Sequence, residues 1–182
     1  MIDDSMKALR AAIDCHAERF GSPDVDAFRR FMDMPAAWFD RSNAFGHFTG
    51  SAWLVNADGS QVLLTHHRKL QRWLQLGGHA DGETDLALVA LREAEEESGL
   101  AGLVVEPAIF DIDRHWIPER AHESGHWHFD VRHVVRASAR TDFTVSAEST
   151  ELAWRDIGAL GAADDVDESL RRMARRWLAR GC

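Results

Sequence analysis

The sequence predicts an α/β fold in which a mixed sheet is packed with helices, and three observations carry that prediction. Runs of period-two alternation occur on both sides of one central segment, 77–100. Within that segment the apolar residues recur at helical spacing, and a second helical pattern closes the chain. At 182 residues and 45% hydrophobic composition, the chain is long enough to bury a substantial core as one domain. No repeat or low-complexity tract interrupts it.

Residues 1 to about 40 read as helical. Ser5 is placed to cap a helix with the apolar stripe Met6, Leu9, Ile13 and Phe20, and Gly21 is placed to stop it. Ser22-Pro23 restarts the pattern with Val25, Phe28, Phe31 and Met32 until Pro35 interrupts it. These faces must bury against the rest of the molecule or against a second subunit, which leaves a homodimer open. The organisation expected is a helical extension over 1–43 and a main domain over 44–182.

From Gly46 the period becomes two: Phe48, Gly50 and Ala52 alternate with His47, Thr49 and Ser51, and the strand continues into Trp53-Leu54-Val55. Asn56-Ala57-Asp58-Gly59 reads as a turn and Gln61 to Thr65 as its hairpin partner. His66, His67, Arg68 and Lys69 follow as a basic cluster, which suits either an anion-steering surface or a solvated loop.

The central segment opens with the pair Gly77-Gly78, passes a short polar turn and enters one helix. On that helix Leu86, Val89, Ala90, Glu93, Glu96 and Glu97 form one stripe, apolar in its first half and carboxylate in its second. Inward-facing like charges repel and lose hydration, so such a stripe needs a compensating cation. Hard divalent ions take oxygen ligands and bridge to phosphate, which points to a metal-dependent phosphoryl site. The competing reading is a solvated acidic face. Glu95 points off the stripe and receives no role.

The same residues resemble the Nudix box, the motif G-x5-E-x7-R-E-U-x-E-E-x-G-U of the Nudix hydrolases, where U is aliphatic. Arg92, Glu93, Ala94, Glu95, Glu96, Glu97, Ser98, Gly99 and Leu100 match its second half in register, with Ala94 a small choice for U. Gly78 lies at the family's spacing from Arg92, yet that register puts Thr84 where the family has its first Glu, and Glu83 stands one residue early. The departure concerns the partner of the box arginine, a place for which Glu83 and Asp85 are the candidates. The resemblance spans about residues 47–158 and implies an α/β/α sandwich. It implies hydrolysis of a diphosphate linkage in a nucleoside diphosphate joined to another group, by attack of water on phosphorus. It implies that Glu93, Glu96, Glu97 and the Gly78 carbonyl hold Mg2+ or Mn2+, and that Arg92 orients the acids. The catalytic set expected is Arg92, Glu93 and Glu96. A non-catalytic nucleotide-binding or sensor module on the same fold would be marked by a lost glutamate. An isoprenoid-diphosphate isomerase would want a cysteine near the box, and neither Cys15 nor Cys182 lies there.

Beyond the box, Leu103 to Val105 and Phe110 to Trp116 read as strands, Pro118 to Gly125 as a polar loop, and His126 to Val135 as a further strand. Asp111, Asp113 and His115 share one face of the earlier strand, and His126, His128, Asp130 and Arg132 share one face of the later one. This set is read first as a wall of the substrate pocket, ahead of a solvent face and of a zinc site built on His-x-His. Glu148 and Glu151 precede the apolar strand Leu152-Ala153-Trp154, where similar Nudix proteins often carry an acid that serves as base or extra metal ligand. The last helix places Asp164, Asp165, Asp167 and Glu168 at its start and Arg171, Arg172, Arg175, Arg176 and Arg180 toward its end, around the stripe Val166, Leu170, Met173 and Trp177. That order suits the helix dipole without any site.

A formal charge of −9 argues against binding nucleic acid in bulk, though not against a small phosphorylated, nucleotide-like substrate. Two cysteines give neither a disulfide framework nor a zinc pattern. No apolar run is long enough to span a bilayer and MIDDSMKALR lacks the apolar core of a signal peptide, so no membrane partner and a cytoplasmic location are expected.

Overall fold

Seven strands form one mixed sheet between two helical layers in a computed structural model that describes residues 2–35, 37–68, 70–119, 124–138, 142–144, 149–163 and 166–181. The chain enters through α1 (Ile2–Phe20) and α2 (Val25–Met32). Gly21 adopts φ +64° and donates its N–H to the Ala17 carbonyl at 2.8 Å, a left-handed C-cap that only glycine adopts without strain. Ser5 does not cap α1, because the helix already begins at Ile2; the hydroxyl instead accepts from Thr84 Oγ1 at 3.3 Å.

Strand β1 (Gly46–Val55) turns through Asn56–Gly59 into β2 (Gln61–His67). The two pair through Val55 and Val62 and then splay apart. His66 and His67 of the basic cluster end β2, and two short strands follow: β3 (Arg72–Leu74) pairs with β2, and β4 (Leu76–His79), which contains the glycine pair, pairs antiparallel with β1 over Thr49–Ala52. After α3 (Leu86–Ser98) come β5 (Val104–Ile117), β6 (His126–Arg136) and β7 (Ser149–Asp156). β6 runs parallel to β1 along its whole length, β5 pairs antiparallel with β6, and β7 pairs antiparallel with β2. The two strands expected around Leu103 and Phe110 are one strand. Its register shifts between Val105 and Ile109, where Pro107 has no N–H to give the ladder.

Alternation on β1 sorts the layers. Phe48, Ala52 and Leu54 face α1, α2 and α3, whereas Trp53 and Val55 face α4 (Ile157–Ala162) and α5 (Glu168–Leu178). On the first side Met6, Ile13, Phe28, Phe31 and Met32 pack with Phe48, Ile112, Phe129 and Val131, and the Phe31 ring stacks on Phe129 at 4.0 Å. The apolar faces of the N-terminal helices are therefore buried within the chain itself. On the other side Leu170 and Met173 of the expected C-terminal stripe pack with Trp53, Phe110 and Val134. Asp164 and Asp165 lie outside the described residues. Among the described residues no helix is long and apolar enough to cross a membrane.

Candidate active site

α5 covers only part of its side of the sheet. The uncovered part is the floor of a cavity of about 700 Å³, bounded by β4 and the acidic end of α3. What brings α3 there is small side chains. A Cβ on Gly50 would lie 2.8 Å from the Val89 side chain, and Ala90 and Ala94 are fully buried in the same core as Ala52 and Leu54. The small residue at position 94 of the box thus lets the helix approach the sheet closely. Asp85 caps α3, accepting from the N–H groups of Ala87 at 3.0 Å and Leu88 at 3.4 Å, and Gly99 closes it at φ +68°.

Glu93, Glu96 and Glu97 all line the cavity, together with Gly77, Gly78 and Arg92, while Glu95 is exposed and does not. The glycine pair is strand, and each member serves a different face. A Cβ on Gly78 would sit 2.5 Å from the Glu93 carboxylate, and a Cβ on Gly77 would run into Ser51. The Gly77 N–H donates to Glu97 Oε1 at 2.8 Å. Arg92 donates to the His79 carbonyl at 2.8 Å and to Glu93 Oε1 at 2.9 Å, which ties the helix to β4 and fixes one acid. Neither Glu83 nor Asp85 reaches Arg92: Glu83 accepts from the Asp85 N–H at 2.9 Å, and Asp85 is occupied as the cap. The place of the displaced box glutamate is taken by a backbone carbonyl.

The model of the NUDIX domain matches residues 47–177. The chain belongs to the Nudix family. A comparison with curated proteins returned no match. Among solved structures of Nudix fold, a NUDIX-family hydrolase from Clostridium perfringens superposes with TM-score 0.57 at 23% identity, covering 74% of this chain and 97% of that one. The MutT protein from Methanosarcina mazei Go1 gives TM-score 0.57 at 17% identity, covering 75% and 96%. The Escherichia coli dihydroneopterin triphosphate pyrophosphohydrolase gives 0.55 at 14%, covering 73% and 95%.

Four polar residues of β6, single-faced in sequence, separate in the Nudix fold into three environments. His128 and Asp130 line the cavity. Asp130 is 1% exposed and its oxygens are taken by Thr49 Oγ1 at 2.9 Å, Ser51 Oγ at 2.7 Å, Gln75 Nε2 at 3.3 Å and Arg132 Nε at 2.7 Å, so it braces the floor rather than reaching into the space. Arg132 does not open to the cavity. At 2% exposure it lies beneath α5, paired with Asp111 at 3.2 Å, Asp113 at 3.1 Å and Asp130 at 2.7 Å. Arg172 and Arg176 reach Asp111 from α5, at 2.7 Å and 2.5 Å, so three acids and three arginines form one network with Asp111, Asp130 and Arg132 as its buried centre and Asp113, Arg172 and Arg176 half-buried at its edge. Burial alone would raise the Asp113 carboxyl, but the His115 hydrogen bond and the Arg132 and Arg172 guanidiniums together hold it far below the usual carboxylate range.

His126 packs against His47 and His128, with ring centroids at 4.8 Å and 5.0 Å. His47 sits across the parallel pair from His128 and packs its ring on it at 4.9 Å, behind the cavity lining, although nothing in its local sequence marks it. Burial, then the neighbouring His79 and His126, lowers its pKa to about 4; burial and four surrounding histidines lower that of His128 to about 2, so both rings are neutral at pH 7. Arg41, Asp81 and His67 also line the cavity, and Arg41 grips Asp81 through Nε at 2.6 Å and through a second guanidinium nitrogen. Glu151 is exposed on β7 opposite His66 and is not among the residues lining the cavity. Glu148 and Lys69 lie outside the described residues.

Proposed function

We propose that this chain is a metal-dependent Nudix pyrophosphohydrolase, cleaving a diphosphate linkage in a small nucleotide-like substrate by attack of water on phosphorus. The observation that carries the reading is the convergence of Glu93, Glu96, Glu97 and the Gly77-Gly78 backbone on one cavity. The acids lining it, Asp81, Glu93, Glu96, Glu97 and Asp130, outnumber the arginines, Arg41 and Arg92, and both arginines are already engaged by acids. A phosphate would be repelled there without a divalent cation. The all-oxygen donor set suits Mg2+ or Mn2+, and glycine at 78 lets the backbone approach the acids. Bound between these residues, such an ion would neutralise phosphate oxygens and acidify the attacking water.

The protein's own contribution is positional. Arg92 fixes Glu93 against β4, the Gly77 N–H orients Glu97, and Glu93 and Glu96 are the candidates for proton acceptor at the cavity. Residues 44–182 would form the hydrolase domain and 1–43 a helical extension. The structure of the Shewanella oneidensis NrtR Nudix domain with ADP ribose, TM-score 0.51, supports nucleotide-like compounds as the first class to test. The test is a screen against nucleotide sugars, dinucleoside polyphosphates, nucleoside triphosphates and dinucleotides, with Mg2+, with Mn2+ and with excess chelator. Turnover confined to the metal-supplied arms is expected. Turnover that persists in chelator would sink the metal mechanism, and binding without turnover in every arm would favour a sensor module.

A further inference from the structure

We propose that His47, His126 and His128 form a binding site for a divalent transition-metal ion of the zinc class, separate from the carboxylates of α3. The site joins residues from two strands. The parallel register sets His47 directly beside His128, and His126 lies two residues before His128 on the same face. One ligand atom from each ring lies within 4.8 Å of the others. A tetrahedral ion with nitrogen ligands at ~2.0–2.1 Å spaces those atoms about 3.4 Å apart, so rotation of the rings by roughly an ångström closes the set. His126 Nε2 and His128 Nε2 are already 3.1 Å apart.

The proton positions are compatible with an ion. A carbonyl only accepts, so the 2.8 Å contact with the Ser124 carbonyl places a proton on His126 Nδ1; in the neutral ring Nε2 then accepts from His128 Nε2–H at 3.1 Å, and an ion bound by both nitrogens takes the place of that shared proton. An imidazole anchored by a backbone carbonyl behind it is the arrangement that orients metal-bound histidines. His47 is 1% exposed, and apart from a weak contact with the Asn43 backbone neither of its ring nitrogens makes a hydrogen bond of normal geometry. A buried polar group left in that state costs roughly 1–3 kcal/mol, and a metal bond removes the cost. Three neutral nitrogen donors select zinc, cobalt or nickel over magnesium, whose preference is oxygen. His128 lines the cavity and provides the route of entry. Three protein ligands leave a tetrahedral ion one position for water or an anionic ligand oxygen.

This inference does not depend on the hydrolase reading. Its test is titration of chelator-stripped full-length protein with Co2+ under excess Mg2+, following the visible d–d bands, with Zn2+ added as competitor. One equivalent of Co2+, displaced by Zn2+, is expected. His47→Gln and His126→Gln should each weaken binding at least ~10-fold, while Glu97→Gln leaves it unchanged. X-ray absorption of the zinc-loaded wild type should show imidazole scattering, a readout that stands if a histidine variant misfolds. No bound Co2+ under excess Mg2+, or a spectrum of oxygen ligands only, would overturn the proposal. So would a band lost in Glu97→Gln and kept in a folded His47→Gln.

Discussion

Single side chains divide here into those that face the cavity and those that hold it in shape. Glu97→Gln keeps the acceptor for the Gly77 N–H and removes only charge, so folding should be retained while turnover falls by roughly 10²-fold or more. Glu95→Gln, on the exposed side of α3, should change turnover less than about twofold; equal losses in the two variants would mean that the helix faces are misassigned. Gly78→Ala places a methyl against the Glu93 carboxylate and should lower activity without unfolding the protein, which circular dichroism alongside a turnover assay would separate.

Among the elements, the pairing of β5 and β6 with α5 governs the outcome of changing Arg132. In a wall of the substrate pocket, where the strand pattern puts it, Arg132 changed to Ala would alter KM or substrate preference. Its burial among Asp111, Asp113 and Asp130 predicts a stability loss of about 3–5 kcal/mol instead, because the fully buried Asp130 loses its arginine, while Arg172 and Arg176 still face Asp111 and Asp113, and urea unfolding measures it. The N-terminal helices are as deeply committed. Phe28 is fully buried against Phe48 and Phe129, so Phe28→Ala should cost about 3–5 kcal/mol, read by the same unfolding experiment.

For the whole molecule, buried ionisable groups set a direction with pH. Burial, joined by Arg176, lowers the His16 pKa, and burial lowers that of His133. Below about pH 6.5 the unfolded chain therefore takes up protons that the folded one does not, and stability falls as pH falls. Asp113, depressed in the folded state, acts in the same direction below about pH 4. Each group contributes at most ~1.4 kcal/mol per pH unit in its window. Unfolding midpoints measured from pH 7.5 down to 4 should decline throughout; a plateau or a rise would show that these groups are not buried as described.

What the sequence by itself determined is whatever rests on local periodicity. The α3 stripe, the Asn56–Gly59 hairpin, the faces of α1 and α2 and the one-sided polarity of β6 all follow from spacings of two, three or four residues, which fix direction within an element. Tertiary structure decided which elements meet. The parallel pairing of β1 with β6 joins residues roughly eighty positions apart, so His47, Thr49 and Ser51 gained roles that no local pattern carries. The end of α5 divided a single polar strand face, covering Arg132 and leaving His128 to the cavity, because a helix shields only as much sheet as its length reaches.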